Sequence, residues 1–322
     1  MTANHICEKL TSLKIAINSQ NSTFSIFHNE PEQHIDNMFF IAVLVSLVAI
    51  LVYFFTKRAI PNDSGAAMGS GSMFDSIAPY YDSANKVMSL GFDQSWRQSL
   101  VDKLEIVDQD VILDVSTGTG DVAILVAKKL QDLGRKGGQP VTGFDPSAKM
   151  LSFAAKKIED GKLKDLIQLV QGDAQNMDTL KDNYYSKVTM SFGIRNVPDR
   201  KKALKEIHRV MRHTGKVIIM EFSTPSSGYL APISKFLLQY FVPTVGGLIS
   251  GGHTAEYDHL RDSILNFPSP SGFQQMMTDA GFSDCGSTDL FLDSVYLYTC
   301  LKIVPEVIHS DAELIDMTQS VM

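Results

Sequence analysis

The residues "VILDVSTGTGD", 111–121, combine an apolar run with the small and acidic residues that a cofactor site requires. Asp114 closes the apolar run, and Gly118 and Gly120 follow it within a few positions. Glycines let the backbone approach a ligand closely, and a helix that starts after them offers unpaired N–H groups. This stretch therefore predicts a site for a nucleotide-type cofactor, without identifying the cofactor.

Two features favour S-adenosylmethionine over a dinucleotide. A dinucleotide fold normally brings glycines to the strand end to meet a pyrophosphate, whereas Asp114 stands there and would repel phosphate while attracting an ammonium group and a sulfonium. Downstream, Asp173 and the backbone N–H of Ala174 can bind the donor and acceptor edge of adenine. The string "GTGDVA" also fits the loose dinucleotide motif, so an NAD-dependent oxidoreductase remains an alternative.

Alternating short apolar strands and amphipathic helices predict how these residues are positioned. We expect strands at 111–115, 140–145, 166–174, 187–193 and 215–223, and helices at 121–130, 146–160 and 199–213. This order predicts a parallel sheet with helices on both faces. Ligands of such sheets bind at the carboxyl ends of the strands, where Asp114, Asp145, Asp173 and Ser191 fall.

The apolar stretch 38–55 contains no charged residue, and as a helix it would span roughly 27 Å, which is long enough to cross a membrane. A signal-peptide core and a buried helix are the alternatives. The mixed-charge region before it argues against a signal peptide, and the Gly- and Ser-containing linker after it argues against a buried helix. Lys57 and Arg58 follow the stretch, which predicts that the C-terminal domain lies on the cytoplasmic side, or on the matrix side in a mitochondrion.

The composition, with 44% hydrophobic and 20% charged residues, is that of a globular protein. A net charge of −7 argues against a nucleic-acid partner, because such proteins usually present a basic face. Cys7, Cys285 and Cys300 show no metal-ligand spacing, so we expect no metal site and inert thiols in a reducing compartment.

From Met73 to Leu301 the chain resembles the class I S-adenosylmethionine-dependent methyltransferases, and more closely the UbiE-type C-methyltransferases of ubiquinone and menaquinone biosynthesis. The resemblance lies in "FDSIAPYYDSANKVMSLGFDQSW", "DVSTGTGD", "GDAQNM", "SFGIRNVPDRKKAL", "RVMRHTGKVIIMEFSTP" and "DSILNFPSPSGFQQMMTDAGF". It implies a class I methyltransferase (Rossmann-like) α/β fold, doubly wound around a mostly parallel seven-stranded sheet. It also implies S-adenosylmethionine-dependent C-methylation of a polyprenyl benzoquinol in ubiquinone biosynthesis. Alternatives are a demethylmenaquinol or other lipid methyltransferase, and a non-catalytic scaffold subunit of a quinone-synthesis complex.

The same resemblance implies which residues form the site. Those expected to contact the cofactor are Asp114, Gly118, Thr119, Gly120, Asp145, Asp173, Ala174, Ser191 and Tyr81. Arg195 is expected at the substrate hydroxyl with Asn196 orienting it, although a structural ion pair is the alternative role for this arginine. A guanidinium is always protonated, so it can stabilise a phenolate but cannot be the base. His253 is a candidate base, or simply a polar loop residue, and Tyr257 is a candidate neighbour of the substrate ring.

The chain departs from the family pattern at Ala84 and Asp93, and it lacks the acid expected near Gly252. We expect an extension at 1–37, a transmembrane helix at 38–55, a linker at 56–72, a methyltransferase domain at 73–303 and a tail at 304–322. The expected partners are a polyprenyl quinol, the membrane, and a quinone-biosynthesis complex or a second copy in a homodimer. The expected location is the matrix side of the mitochondrial inner membrane, although the first 37 residues contain no arginine and do not resemble a transit peptide.

Overall fold

The computed structural model describes residues 71–89, 91–223 and 254–303, and for 254–257 it describes the backbone alone. The predicted membrane segment 38–55, the predicted base His253 and the predicted tail 304–322 lie outside the described residues. In the ranges that the structure describes, no helix has the length and apolar character needed to cross a membrane.

Seven strands of the described residues form one sheet in the order β3-β2-β1-β4-β5-β7-β6. Strands β1 to β5 pair in parallel, whereas β7 pairs antiparallel with both β5 and β6. The predicted doubly wound, mostly parallel sheet is therefore confirmed. The strands are β1 (Ile112–Val115), β2 (Val141–Asp145), β3 (Ile167–Gln171), β4 (Tyr185–Ser191), β5 (Met211–Phe222), β6 (Ser283–Phe291) and β7 (Val295–Leu301).

Helices cover the sheet and supply the walls of the site. They are α1 (Gly71–Ile77), α2 (Tyr81–Met88), α3 (Asp93–Lys103), α4 (Asp121–Asp132), α5 (Ala148–Asp160), α6 (Arg200–Val210), α7 (Thr254–Leu265) and α8 (Pro270–Asp279), with a 3-10 turn, η1, at Ile194–Asn196. Side-chain caps fix where three of the described helices start, namely α5, α6 and α8. Ser147 Oγ accepts from Met150 N at 3.0 Å at the start of α5, and Asp199 Oδ1 accepts from Lys202 N at 3.0 Å at the start of α6.

The predicted helix 199–213 is too long at its C-terminal end. Helix α6 ends at Val210, and Met211 already belongs to β5, where it pairs with Tyr185. The amphipathic pattern continues past Val210, but the ladder hydrogen bonds to β4 hold the next residues in an extended conformation.

Two apolar layers pack on the opposite faces of the sheet. Along β1, Ile112 faces the layer that contains Val126 of α4, and Leu113 faces the layer that contains Ile207 of α6. All four side chains are fully buried, and burial of each is worth about 1.5–3 kcal/mol. Because both faces are covered, the carboxyl edge of the sheet is the place where polar groups can face a ligand.

Cys285 of β6 and Cys300 of β7 form a disulfide across a sequence separation of 15. The expectation of free thiols is therefore wrong for this pair. Two cysteines that far apart carry no spacing signal, and the antiparallel pairing of β6 with β7 brings them together. Cys7 lies outside the described residues.

Candidate cofactor and substrate site

The turn after β1 brings the backbone against the end of β2. Gly118 and Gly120 adopt φ values of 55° and 86°, in the left-handed region that favours glycine. The Gly118 N–H donates to Asp145 Oδ2 at 2.8 Å, which ties the turn to the last residue of β2. A Cβ on Gly120 would lie 3.1 Å from the Cβ of Ala154, so this glycine also allows α4 and α5 to approach each other.

Asp145 is held in place by the backbone but still faces the cavity. Its second oxygen accepts from Ser147 N at 2.9 Å, and its relative exposure is 6%. Burial raises the pKa of Asp145 to about 6, against the opposing effect of the N–H groups of Ser147 and Gly118. Each oxygen keeps a second lone pair, so the carboxylate has the capacity to accept from ribose hydroxyls, and this contact stays a prediction.

Asp114 lies beneath the turn with both carboxylate oxygens already bonded. Thr117 Oγ1 donates to it at 2.6 Å and Thr189 Oγ1 at 2.7 Å. The side chain is 1% exposed, and burial raises its pKa to about 6 in spite of these two hydroxyl donors. The role found for Asp114 is to fix the turn and to add negative charge below it.

A cavity of 340 Å³ opens between the carboxyl ends of the strands and the N-terminal helices. The described residues that line it include Tyr81, Gly118, Asp145, Asp173, Ala174, Ser191 and Asn196. Asp173 stands at one end, where both of its oxygens accept from Gln175. Ser191 Oγ is buried and has no hydrogen-bond partner among the described residues, which is unusual for a buried hydroxyl unless a ligand supplies one. The volume, the acids and this hydroxyl all fit S-adenosylmethionine.

Helix α2 closes one side of the cavity. The Thr119 hydroxyl donates to Asp82 Oδ1 at 2.7 Å, and Lys157 Nζ lies 2.6 Å from Asp82 Oδ2 and 2.7 Å from Asp121 Oδ1. The Thr119 side chain thus holds α2, and the residue also lines a small pocket with Asp114 and Gly118. Its predicted contact with the cofactor stays a prediction. Next to Asp82, Tyr81 lines the cavity, and burial raises its pKa, so the phenol stays protonated at neutral pH.

Arg97 is a site residue that sequence reasoning missed. It lines a narrow extension of the cavity together with Asp114 and Gly118, and it is 6% exposed. Asp93 pairs with Arg97, and Asp121 Oδ2 lies 3.7 Å from its second terminal nitrogen. Asp93 is one of the positions at which the chain departs from the family pattern, and its carboxylate therefore pairs with this arginine. A signal was available, because Arg97 directly follows the Trp96 that ends the N-terminal motif.

Arg195 makes the contacts of a buried ion pair. Its Nη1 donates to Glu221 Oε1 at 2.8 Å, its backbone N–H donates to Glu221 Oε2 at 3.2 Å, and Glu221 is fully buried. Nη1 also donates to the carbonyl of Phe192 at 2.6 Å, whereas Nε has no hydrogen-bond partner among the described residues. Arg195 is not among the described residues that line the cavity, although Gly193 and Asn196 on either side of it are. Glu221 was missed, yet an acid inside an apolar strand indicates a buried cationic partner.

Asn196 lines the cavity and contacts a histidine that the sequence analysis passed over. The Nε2 atom of His259, on α7, lies 3.2 Å from Asn196 Oδ1. Burial and the nearby Arg195 lower the pKa of His259, so its imidazole is neutral at neutral pH. This histidine belongs to the same helix as Tyr257, and no motif distinguished it.

The strand order, the glycine turn and the acids at successive strand ends define a class I S-adenosylmethionine-dependent methyltransferase. The solved structure of a putative S-adenosylmethionine-dependent methyltransferase from Methanococcus maripaludis has the same fold, with a TM-score of 0.52 and 20% identity. That likeness covers 77% of this chain and 100% of the other.

The chain belongs to the ubiE/COQ5 methyltransferase family, whose model matches residues 65–300. It is 37% identical over 227 residues to the ubiquinone/menaquinone biosynthesis C-methyltransferase UbiE of Geotalea daltonii, covering 70% of this chain and 93% of that protein. It is 38% identical over 211 residues to the demethylmenaquinone methyltransferase of Thermotoga maritima, covering 65% of this chain and 86% of that protein. The predicted family and the predicted cofactor, S-adenosylmethionine, are confirmed.

Proposed function

We propose that this enzyme transfers the methyl group of S-adenosylmethionine to a ring carbon of a polyprenyl benzoquinol in ubiquinone biosynthesis. The observation that carries the proposal is a single cavity lined by Asp145, Asp173 and Asn196, in a chain of the ubiE/COQ5 family. The acids suit the ribose and adenine of the cofactor. The Asn196 end, next to Arg195 and His259, offers polar groups for a substrate oxygen.

The reaction would break the sulfur–methyl bond of S-adenosylmethionine and form a carbon–carbon bond to the quinol ring, with S-adenosylhomocysteine as the leaving group and one proton released from the quinol. S-adenosylmethionine supplies an electrophilic methyl group when it is bound. A hydroquinone ring becomes a sufficient nucleophile when one hydroxyl is deprotonated or strongly polarised, so the protein must favour phenolate. Positioning and fixed electrostatics therefore carry most of the catalysis.

Several residues of this chain have separate proposed roles in this catalysis. Asp145 orients the cofactor, and Tyr81 covers the cavity from the N-terminal side. Arg195, held by Glu221, contributes a fixed positive charge behind the wall that Asn196 forms. Since Arg195 cannot accept a proton, its proposed part is to stabilise the phenolate electrostatically. His253 and Tyr257, which lie at or next to the undescribed part of the chain, remain proposed participants.

Demethylmenaquinol is the second candidate substrate, because the Thermotoga maritima relative is named a demethylmenaquinone methyltransferase. The two candidates differ in the ring that must fit against Asn196.

The test is isothermal titration of the full chain, kept in mild detergent, with S-adenosylmethionine, followed by mass spectrometry of two short-tailed quinols kept reduced. We expect methylation of a methoxy-benzoquinol on a ring carbon, with turnover exceeding that of a demethyl-naphthoquinol. The Asp145→Ala variant serves as a control that weakens cofactor binding. Preference for the naphthoquinol would reassign the substrate, and cofactor binding without any methylation would support the scaffold alternative.

We further propose the division of the chain given by the sequence: an extension, a membrane anchor at 38–55, a linker, and a methyltransferase domain from about Met73. Support for the anchor comes from its uninterrupted apolar character and from Lys57 and Arg58 on its flank. Alkaline carbonate extraction of membranes tests it. We expect the full chain to stay in the pellet and a variant lacking 38–55 to be released.

The matrix face of the mitochondrial inner membrane is the proposed location, because an isoprenoid quinol is confined to a bilayer. A quinone-biosynthesis complex and a homodimer are the proposed assemblies. Protease protection of intact mitochondria tests the side. Alkylation of thiols before lysis adds a second test, because disulfides such as Cys285–Cys300 are rare in reducing compartments. A Cys285–Cys300 pair that is protected from alkylation would therefore count against the matrix location.

A further inference from the structure

The wall of the cavity at Asn196 is built from a 3-10 turn that is fixed from several directions. The Arg195 backbone N–H donates to Glu221 of β5, and Arg200 Nη2 of α6 donates to the Arg195 carbonyl at 3.0 Å. Within the turn, Asn196 N donates to the Gly193 carbonyl at 3.0 Å. The backbone of η1 is therefore held, and the main remaining freedom of Asn196 lies in its side chain.

The terminal torsion of an asparagine has a broad energy profile, so its carboxamide can present either an oxygen or an NH₂ group to a cavity. Within the described residues, the hydrogen-bond partner of the Asn196 side chain is His259 Nε2, at 3.2 Å from Oδ1. An oxygen accepts, so Nε2 must carry the proton. This contact directs the oxygen toward α7 and leaves the two Nδ2 hydrogens for the other side.

We propose that His259 is a positioning residue of this site: its Nε2–H holds the Asn196 carboxamide so that the Nδ2–H groups face the cavity and donate to a phenolate oxygen of the substrate. This inference rests on the function proposed above. It specifies which end of the amide the substrate meets, and it assigns a role to a histidine of α7 that precedes the recognised motif beginning at Asp262.

The charges around His259 are consistent with this role. Arg195 faces it from η1, and Asp262 approaches it from its own helix. Burial and Arg195 lower its pKa, so the imidazole is neutral and one ring nitrogen carries one proton. A carboxamide oxygen turned toward the cavity would repel a phenolate, whereas an N–H donor stabilises a phenolate. The phenolate is the form of the substrate that the reaction requires.

The first measurement is the tautomer of His259 in full-length protein labelled with 15N-histidine, read from long-range 15N–1H spectra. We expect a neutral ring protonated at Nε2, and we expect Asn196→Ala to shift the tautomer population. This readout needs no turnover, so it tests the inference even if no quinol proves to be a substrate. A ring protonated at Nδ1, or a tautomer unaffected by Asn196→Ala, would overturn the inference.

The second measurement is kinetic and is made with whichever quinol the wild type methylates. We expect His259→Phe to lower kcat by about 5- to 10-fold, the effect of losing one neutral hydrogen bond, with the S-adenosylmethionine affinity unchanged. His259→Gln, whose amide N–H can replace Nε2–H, should recover most of kcat. His208→Gln, a histidine on α6 that packs against Phe282, is the matched control and should leave kcat unchanged.

A double variant separates positioning from direct action. If His259 acts through Asn196, His259→Phe adds nothing to the loss caused by Asn196→Ala. Fully multiplicative losses, or an unchanged kcat for His259→Phe in an active wild-type background, would contradict the proposal. If the Phe variant does not fold, the Gln variant and the wild-type tautomer still decide the question.

Discussion

Replacing Asp114 by asparagine should make the protein more stable at neutral pH and a weaker binder of S-adenosylmethionine. Asp114 is 1% exposed, and its pKa is raised to about 6 by burial. At neutral pH the folded protein must therefore hold a carboxylate in a site that favours the neutral acid. Asparagine has nearly the same shape and removes that charge.

The magnitude follows from linkage. A pKa of about 6 in the folded state against an ordinary value of 3.8 corresponds to about 3 kcal/mol. Because the folded-state pKa is the higher one, the folded state binds the proton more tightly. The associated stability is fully present below pH 3.8 and is lost as the pH rises through about 6.

The hydrogen bonds reduce the expected gain. Thr117 and Thr189 each donate to the carboxylate, and one of these hydroxyls must turn to accept from the new amide. That exchange costs about 1–2 kcal/mol, the order of one buried hydrogen bond, because the bonds to the charged carboxylate are already contained in the pKa of about 6. The net expectation is a gain of about 1–2 kcal/mol at pH 7.5 and no gain near pH 4.

Urea denaturation followed by the fluorescence of Trp96 provides the assay, because this is the single tryptophan of the chain and it is buried. The difference in unfolding free energy between variant and wild type is taken at each pH, so that the contributions of the other titrating groups cancel. It should grow between pH 4 and pH 6.5. A difference that is constant with pH, or that shrinks as the pH rises, would refute the assignment of a raised pKa to Asp114.

Three further outcomes are expected. Gly120→Ala should lower the unfolding free energy by about 1–2 kcal/mol, and by more than Gly134→Ala, since both residues have positive φ values but an added Cβ meets a close neighbour only at Gly120. Glu221→Gln should cost about 3 kcal/mol in urea denaturation, because it leaves the Arg195 charge buried without its counter-ion. A loss below about 1 kcal/mol would show that the pair is not buried in solution. Asp82→Asn should change stability by less than about 1 kcal/mol but speed the release of S-adenosylmethionine several-fold in stopped-flow displacement, and an unchanged release rate would contradict the closing role of α2.

The cofactor half of the site was predictable from the sequence because its residues are set by the topology of a parallel sheet. Once strands are placed at 111–115, 140–145 and 166–174, the acids that follow them must meet at one edge, whatever the details of packing. Asp145 and Asp173 are such residues. The glycine turn was predictable for the same reason, since its position is fixed relative to the end of β1.

The substrate half was less predictable because its contacts depend on side-chain packing between elements distant in sequence. Glu221 meets Arg195 across two neighbouring strand ends, and His259 meets Asn196 only because α7 packs on η1. The disulfide depends in the same way on the pairing of β6 with β7. No local pattern encodes these contacts. The hydrogen bond of the Thr119 hydroxyl to Asp82 of α2 depends on such packing as well.

The sequence separations of the contacts around the cavity imply an order of assembly. Gly118 bonds Asp145 over 27 residues and Arg195 bonds Glu221 over 26, each within about one strand–helix–strand unit. The contact of Asp75 with Ser147 spans 72 residues, and the floor itself contains one contact of similar span, Thr189 with Asp114 over 75 residues. Loop closure costs more entropy as the loop lengthens, and the short-range contacts belong to the floor, so we expect the floor of the cavity to start forming first and the N-terminal helices α1 and α2 to dock last. Elements that dock last and make few buried contacts are also the first to open in the native state. We therefore expect the N-terminal helices that dock last during folding to be the same helices that open when the cofactor exchanges.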